Sequence, residues 1–411
     1  MKLYSLVLAS ALQVFWPLVA RAENGQLPIT EAVAIAKAHN PDLEATAQEL
    51  TIALGQSQRA NYLTPFNLES DNTAAYRTRS DRSNSQDWEV GLLQQIEIFG
   101  QRGLRQRSAA INLTETEARV RDRLRLIVGA VKLSFYDAMR SRERVELLRE
   151  LEALDARLLA AARKRLNAGE IGQIEYNVAV VRHGQSSRAL IQGQEAYRFQ
   201  RSSLGRLLGG FAGVEPQPEG GLDTLPLTFD LQTMVAQAQH NRPDLRAREL
   251  EVARINAESA LNQRLNWPNP IIGPFLGHDN NTNRYYGAQF GFSVPLFNRR
   301  RGEATELEGQ RRRAQAELRA NALDIERQVR DAYNQYLEAY KSLTIYRDDV
   351  VAPARENFRL IERAFREGKI DLLRLSIAER DAFEAQTSYL DAWFDVRAAE
   401  VAIEMATGVS S

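Results

Sequence analysis

The sequence predicts a mainly α protein built from long antiparallel helical hairpins, with four strands per chain that contribute to a membrane β-barrel. Three observations lead there. The chain contains one ordered internal repeat, each copy holds a helical stretch too long for a compact bundle, and a strand with one oily face runs straight into that stretch.

Met1 and Lys2 form a short charged start, Leu3 to Val19 are mostly apolar, and Ala20-Arg21-Ala22 fits a small-x-small cleavage pattern. Residues 1–22 are therefore expected to be a cleaved signal peptide, which sends the mature chain out of the cytoplasm. Of the 411 residues 44% are hydrophobic and 26% charged, with 53 basic and 53 acidic side chains and no cysteine. Beyond the leader no apolar run reaches the roughly 18 to 20 residues of a membrane helix, so any membrane contact falls to strands or surfaces. The absence of cysteine excludes disulfides and thiolate metal sites. Balanced charge gives no reason to expect nucleic acid.

The repeat organises the rest. Ala38-His39-Asn40-Pro41-Asp42-Leu43 returns as Gln239-His240-Asn241-Arg242-Pro243-Asp244-Leu245, and Ile98-Phe99-Gly100-Gln101-Arg102 returns as Leu296-Phe297-Asn298-Arg299-Arg300. "LNAGEIGQIEYNVA" (166–179) returns as "FREGKIDLLRLSIA" (365–378). The mature chain, 23–411, thus reads as two copies, about 27–208 and 226–408, joined by a Gly- and Pro-rich linker over 209–225. Each copy opens with a helix (about 30–60 and 230–265) carrying the Pro-Asp punctuation, where proline suits a first helical turn and the acid suits a helix amino end.

Two strands follow in each copy. In the second strand Trp88, Val90, Leu92, Ile96 and Ile98 alternate with Asp87, Glu89, Gly91, Gln95 and Glu97. The fourth alternates in the same way from Tyr285 to Leu296. Each is about 11 residues long, enough for a tilted crossing of a bilayer. Asp87, Glu89, Gln95 and Glu97 are the expected lumen-facing set, because carboxylates are costly to bury and easy to hydrate. The first and third strands (about 66–79 and 269–278) alternate less cleanly. A two-layer sheet on a soluble core is the ordinary alternative. Four strands cannot close a barrel, so several chains must pool theirs: two would give a filled barrel, three a passage.

No proline interrupts Gln101 to Asn167, a stretch that extends on the order of 100 Å as a helix. In the second copy Ile325, Val329, Ala332, Tyr336, Ala339, Leu343, Tyr346 and Val350 step by four and three, as a coiled-coil seam does. Ile127, Val131, Ser134, Ala138, Ser141, Val145 and Leu148 are the matching stripe. Short turns at Ala168–Gly172 and Glu367–Asp371, with glycines able to take the left-handed conformation, send each helix back.

On these residues the chain resembles the outer-membrane factor family, the TolC-like efflux channels, and within it the CzcC-like members that serve heavy-metal export. The two His-Asn-(Arg)-Pro-Asp-Leu segments, the joints "QQIEIFGQR" and "VPLFNRRRG", the two tip segments and the closing "EMATG" carry the resemblance across the mature chain. It implies a homotrimer with a twelve-stranded outer-membrane barrel on a twelve-helix periplasmic tunnel, an inner-membrane pump of the RND type, and a periplasmic adaptor. It also assigns the tips to adaptor docking and closure: Arg165, Asn167, Gly169, Glu170 and Ile171 in one turn, Arg366, Gly368, Lys369, Ile370 and Asp371 in the other. Where some relatives carry an acidic ring this chain has Arg374, which leaves Asp371 as the candidate gate carboxylate. The arginines of the joints, Arg102, Arg105, Arg107 and Arg299 to Arg301, are placed at the periplasmic membrane surface.

Catalysis has little support. His39, His183, His240 and His278 are scattered without ligand spacing, and no nucleophile elbow, zinc-binding helix or phosphate loop is present. No metal site and no cofactor are expected. The alternatives to a metal-efflux channel are a drug-efflux or protein-secretion duct of the same fold, and a soluble periplasmic coiled-coil scaffold.

Overall fold

The computed structural model describes residues 26–78, 84–210, 216–222, 230–279, 283–292 and 297–409. The leader read over 1–22 lies outside them, as do residues 211–215 and 223–229 of the linker region and 293–296 at the end of the fourth strand. Chain order is β1 (Gln26–Leu27), α1 (Ile29–His39), α2 (Pro41–Ala60), β2 (Glu69–Thr78), β3 (Asn84–Gln95), α3 (Gln101–Asn167) and α4 (Gln173–Leu207). It continues through β4 (Gln217–Pro218), α5 (Leu231–Asn241), α6 (Pro243–Arg264), β5 (Pro270–Asp279) and β6 (Asn283–Phe292). Then come α7 (Arg301–Ile345), a π-helical turn (Tyr346–Val350), α8 (Val351–Arg366) and α9 (Leu372–Thr407). The chain divides into two compact units: one takes in residues up to Glu44, Arg123–Arg242 and the chain from Asp324, the other Ala45–Asp122 and Pro243–Leu323.

In the first unit most of the seam read from the sequence is buried, with Ser134 and Ser141 of its α3 stripe only half-buried. Val131 and Ala138 are fully enclosed, with Ile127, Val145 and Leu148 beside them on α3 and Ile325, Val329, Ala332, Tyr336, Ala339 and Leu343 on α7. Trp393 and Val396 of α9 are likewise inaccessible. The expected stripe ends at Leu343, because Tyr346 and Val350 fall in the π-turn and are only half-buried. There the Val351 N–H donates to the Tyr346 carbonyl, a bond one residue longer than in an α-helix. Pro353 supplies the reason: its ring crowds the preceding turn and it lacks an N–H, and a widened turn relieves that crowding. The first copy has no proline here, and α3 runs unbroken for 67 residues.

The opening helix of each copy is two helices rather than the one expected. Proline drives the residue before it out of the α region. Asn40 (φ −68°, ψ 120°) and Arg242 (φ −67°, ψ 115°) are those residues, and both are extended. Both are also buried, and each is used. The Asn40 side chain accepts from Leu43 N (3.0 Å) and donates to the Leu207 carbonyl (2.8 Å) just at the end of α4. Arg242 donates to Gln328 Oε1 (2.9 Å) and to the Ala406 carbonyl (3.2 Å) near the end of α9. The duplicated motif therefore ties the start of each copy to the carbonyl end of its own last helix, a natural place for a donor.

In the second unit β2, β3, β5 and β6 form one antiparallel sheet in that order, leaving β2 and β6 as its edges. Pairs such as Asn72↔Val90, Val90↔Leu276 and Leu276↔Tyr286 fix one register across all four strands. The backbones of β3 and β5 approach closely at Gly273, where an added Cβ would collide with the Leu92 carbonyl. Only glycine fits there.

Replacing Arg242 with Ala removes a charged donor from buried carbonyls and is expected to cost about 2 to 3 kcal/mol. Thermal unfolding of the purified variant should show a lower midpoint; an unchanged midpoint would refute this fastening role.

Candidate functional site

The register sorts the sheet into two unlike faces. Trp88, Val90 and Leu92 of β3, Ile272 and Leu276 of β5, and Tyr286, Phe290 and Phe292 of β6 share one face and are all exposed, Tyr286 at 91%. On the β2 edge the same face carries Ser70, Asn72, Ala74 and Tyr76, the weaker alternation expected of that strand. A continuous bare apolar surface of this kind suits lipid, not water. The opposite face carries Asp87, Glu89 and Gln95 of the expected lumen set, together with Glu69 and Asp71 of β2. Glycines line its β5 and β6 portion, and cross-strand aromatics lie over two of them: Phe275 over Gly287 and Tyr285 over Gly277. Tyr285 also donates to Glu89 Oε2 (3.3 Å).

Glu97 differs from the expectation. β3 ends at Gln95, so Glu97 lies beyond the strand. Its side chain is almost wholly buried and receives Arg105 Nη1 at 2.7 Å on both oxygens. A guanidinium four residues into α3 thus captures the carboxylate, and the pair helps to lock the strand to the helix. The buried Gln101 completes that lock by accepting from Phe99 N (2.9 Å) and donating to Asn269 (2.9 Å).

The two hairpin turns lie side by side in the first unit. Arg165 at the end of α3 lies over the Phe365 ring at 5.6 Å and pairs with Glu170 at 3.5 Å. Gly169 (φ 76°) and Gly368 (φ 73°) both take the left-handed conformation. Glu170 N reaches the Arg165 carbonyl and Lys369 N the Ala364 carbonyl, each at 2.9 Å, closing the two helices in the same way. A shallow cleft between the turns brings together Arg165, Glu170, Ile171, Gly368, Ile370 and Asp371. Asn167, Arg366 and Lys369 lie outside it; Arg366 pairs with Glu362 (2.5 Å) and Lys369 with Glu367 (2.7 Å). Asp371 caps α9, accepting from Arg374 N at 2.8 Å, while Arg374 itself is exposed.

Sequence reasoning missed a buried ionic cluster above the turns. Arg182 of α4 contacts Asp155 of α3 (3.2 Å) and Glu379 and Ser376 of α9. The carboxylate side chains are 5% and 4% exposed. Burial lowers the pKa of the guanidinium and the nearby Asp155 raises it. A visible signal was Glu379, an acid set among the buried Leu375, Ala378 and Ala382. Among the described residues no group of three or more His, Cys, Asp or Glu could hold a metal ion, and no helix is long and apolar enough to cross a membrane.

A sheet with one bare apolar face, two open edges and paired helical turns elsewhere defines a subunit of a membrane channel that pools strands from several chains. The comparisons with known proteins say which. The model of the outer membrane efflux protein family matches the chain over residues 32–210 and again over 234–409. The chain belongs to that family. It is 26% identical over 384 residues to the cobalt-zinc-cadmium resistance protein CzcC of Cupriavidus metallidurans strain CH34, covering 91% of this chain and 88% of the relative. Among solved structures, a membrane protein from Pseudomonas aeruginosa superposes with a TM-score of 0.80 at 17% identity, covering 92% of each chain. The outer-membrane channel OprN does so with 0.78 at 16%, covering 93% of this chain and 90% of the other. The protein is an outer-membrane efflux channel that extends into the periplasm.

Replacing Arg182 with Met strands two buried carboxylates and is expected to destabilise the first unit by about 3 to 5 kcal/mol. Combining it with Asp155→Asn and Glu379→Gln should recover much of that loss in thermal unfolding; equal midpoints for the single and triple variants would show that uncompensated charge is not the cause.

Proposed function

We propose that this channel is the outer-membrane component of a tripartite assembly that exports heavy-metal cations, working as a homotrimer with a periplasmic adaptor and an inner-membrane pump of the RND type. The similarity to the cobalt-zinc-cadmium resistance protein over nearly the whole chain carries the metal assignment. The carboxylates Glu69, Asp71, Asp87 and Glu89 on one sheet face support it, since fixed negative charge lining a water-filled path favours cations. The open edges β2 and β6 support the trimer: three sheets of four strands make a barrel wide enough for a passage. The paired turns suit adaptor docking, because they offer exposed charges and backbone groups beside a cleft of mixed polar and apolar lining. Asp371, committed to a helix end, and the exposed Arg374 give the closed tip a mixed rather than an acidic rim.

A deletion strain should become sensitive to cobalt, zinc or cadmium, and the restored gene should reverse this. Sensitivity confined to lipophilic drugs would keep the duct and remove the metal assignment. At the tips, charge reversal of Arg366 and Lys369 should abolish cross-linking to the adaptor without loss of trimers. Undiminished cross-linking would move docking elsewhere.

A further inference from the structure

We propose that the strand-to-helix joint is a binding surface for anionic phospholipid headgroups of the leaflet that faces the periplasm. The proposal rests on the outer-membrane placement of the sheet and not on the substrate, the pump or the adaptor.

The joint collects two kinds of side chain at one level. The segments that leave the helix side of the sheet expose apolar groups: Leu63 at 73%, Trp267 at 51% and Phe297 at 99%, with Tyr62 and Ile98 nearby in sequence. Immediately beyond, at the starts of α3 and α7, stand the exposed arginines Arg102, Arg107, Arg299 and Arg301. Among the described residues none of these four is within ion-pair distance of a carboxylate, whereas most arginines along α7 are paired within their own helix, as Arg311, Arg312, Arg313, Arg327 and Arg330 are. The acids nearest these arginines already have partners, Glu97 in Arg105 and Glu303 in Arg300 (3.7 Å). The collar is therefore cationic where the apolar sheet face ends, the arrangement that places aromatic rings at the headgroup level and guanidinium groups against phosphate.

The collar is also held in place. Thr64 Oγ1 donates to the Gln95 carbonyl (3.0 Å) and Gln94 to the Phe66 carbonyl (3.1 Å), which fastens the loop before β2 to the end of β3. Arg102 and Arg105 donate to the carbonyls of Asn61 and Tyr62 (3.0 and 3.2 Å), fastening the same loop to α3. Arg300, the one non-glycine residue with positive φ among those described, turns the chain into α7 and is braced by Asn262 at 2.6 Å. Neighbouring Arg299 and Arg301 are thereby presented on a fixed corner. Phosphates of an anionic leaflet match such a corner in charge; the neutral surface elsewhere on α7 does not.

The test uses the full-length protein, purified in detergent and reconstituted by dilution into vesicles of phosphatidylcholine alone or of equal phosphatidylcholine and phosphatidylglycerol, with flotation as the readout. Wild type should enter the anionic vesicles at least about ten-fold more efficiently at low salt, and the preference should fade as salt rises. The combined Arg102→Gln, Arg107→Gln, Arg299→Gln and Arg301→Gln variant should enter both kinds equally, while the matching four-Lys variant keeps the preference. A Gln variant with an undiminished preference would overturn the proposal, as would a wild-type preference insensitive to salt. Should the Gln variant fail to fold, loss of the preference in a folded four-Lys variant would overturn it as well. Wild type that floats with neither kind of vesicle would instead overturn the membrane placement on which the proposal rests.

Discussion

Backbone amides and carbonyls cannot be left unpaired in hydrocarbon, and this constraint governs the whole protein. The sheet β2-β3-β5-β6 satisfies its interior strands and leaves two rows of unpaired groups along β2 and β6. A single chain has no way to cover them: the described chain offers only one further strand pair, β1 with β4, each two residues long. The edges must be completed by other copies, and the apolar face then closes into a continuous belt. Polar Ser70 and Asn72 on β2 sit in the same register rows as apolar Leu92, Val90 and Leu276, so the edge strand contributes least to that belt.

Duplication sets the plan, and the copies diverge where their tasks differ. Both turns use a left-handed glycine and the same helix-closing bonds, yet the first turn contributes Arg165 and Glu170 to the cleft where the second contributes Phe365 and Asp371. At the joints Phe99 packs against Trp267 with ring centroids 5.0 Å apart, whereas its counterpart Phe297 is left bare. The hairpins differ most in the π-turn at Tyr346–Val350, which interrupts the second long helix and has no equivalent in α3. Wide turns of this kind change which side chains face a seam without ending the helix.

The duplication, the strands and the long seams were legible in the sequence because each is a periodic signal. Alternation from Trp88 to Leu92 and from Tyr285 to Phe292 located β3 and β6, and the four-three stepping of Ile325 to Leu343 located a buried stripe. What escaped is local and aperiodic. The division at Asn40 and Arg242 is hidden because apolar residues recur on both sides of Pro-Asp, so that one helix spans the motif by pattern, whereas in the structure Pro-Asp begins a second. The strand end before Glu97 depended on a partner eight residues away, and the Arg182 cluster on three helices converging. No spacing rule along one segment reports such meetings. The turns were found because glycine marks them, while their shared cleft was not, since it belongs to both copies at once.

The paired residues before proline have a consequence for how the chain folds. Asn40 binds a carbonyl 167 positions away, and Arg242 one 164 positions away. Each bond closes nearly an entire copy into a loop, and loop-closure entropy rises only slowly with length. A copy can therefore secure its own ends through a contact that does not cross from one copy to the other. Two separately fastened loops, delivered in sequence by an exported chain, resist exchange of hairpins between neighbouring chains at the stage when several must gather with their sheet edges still open.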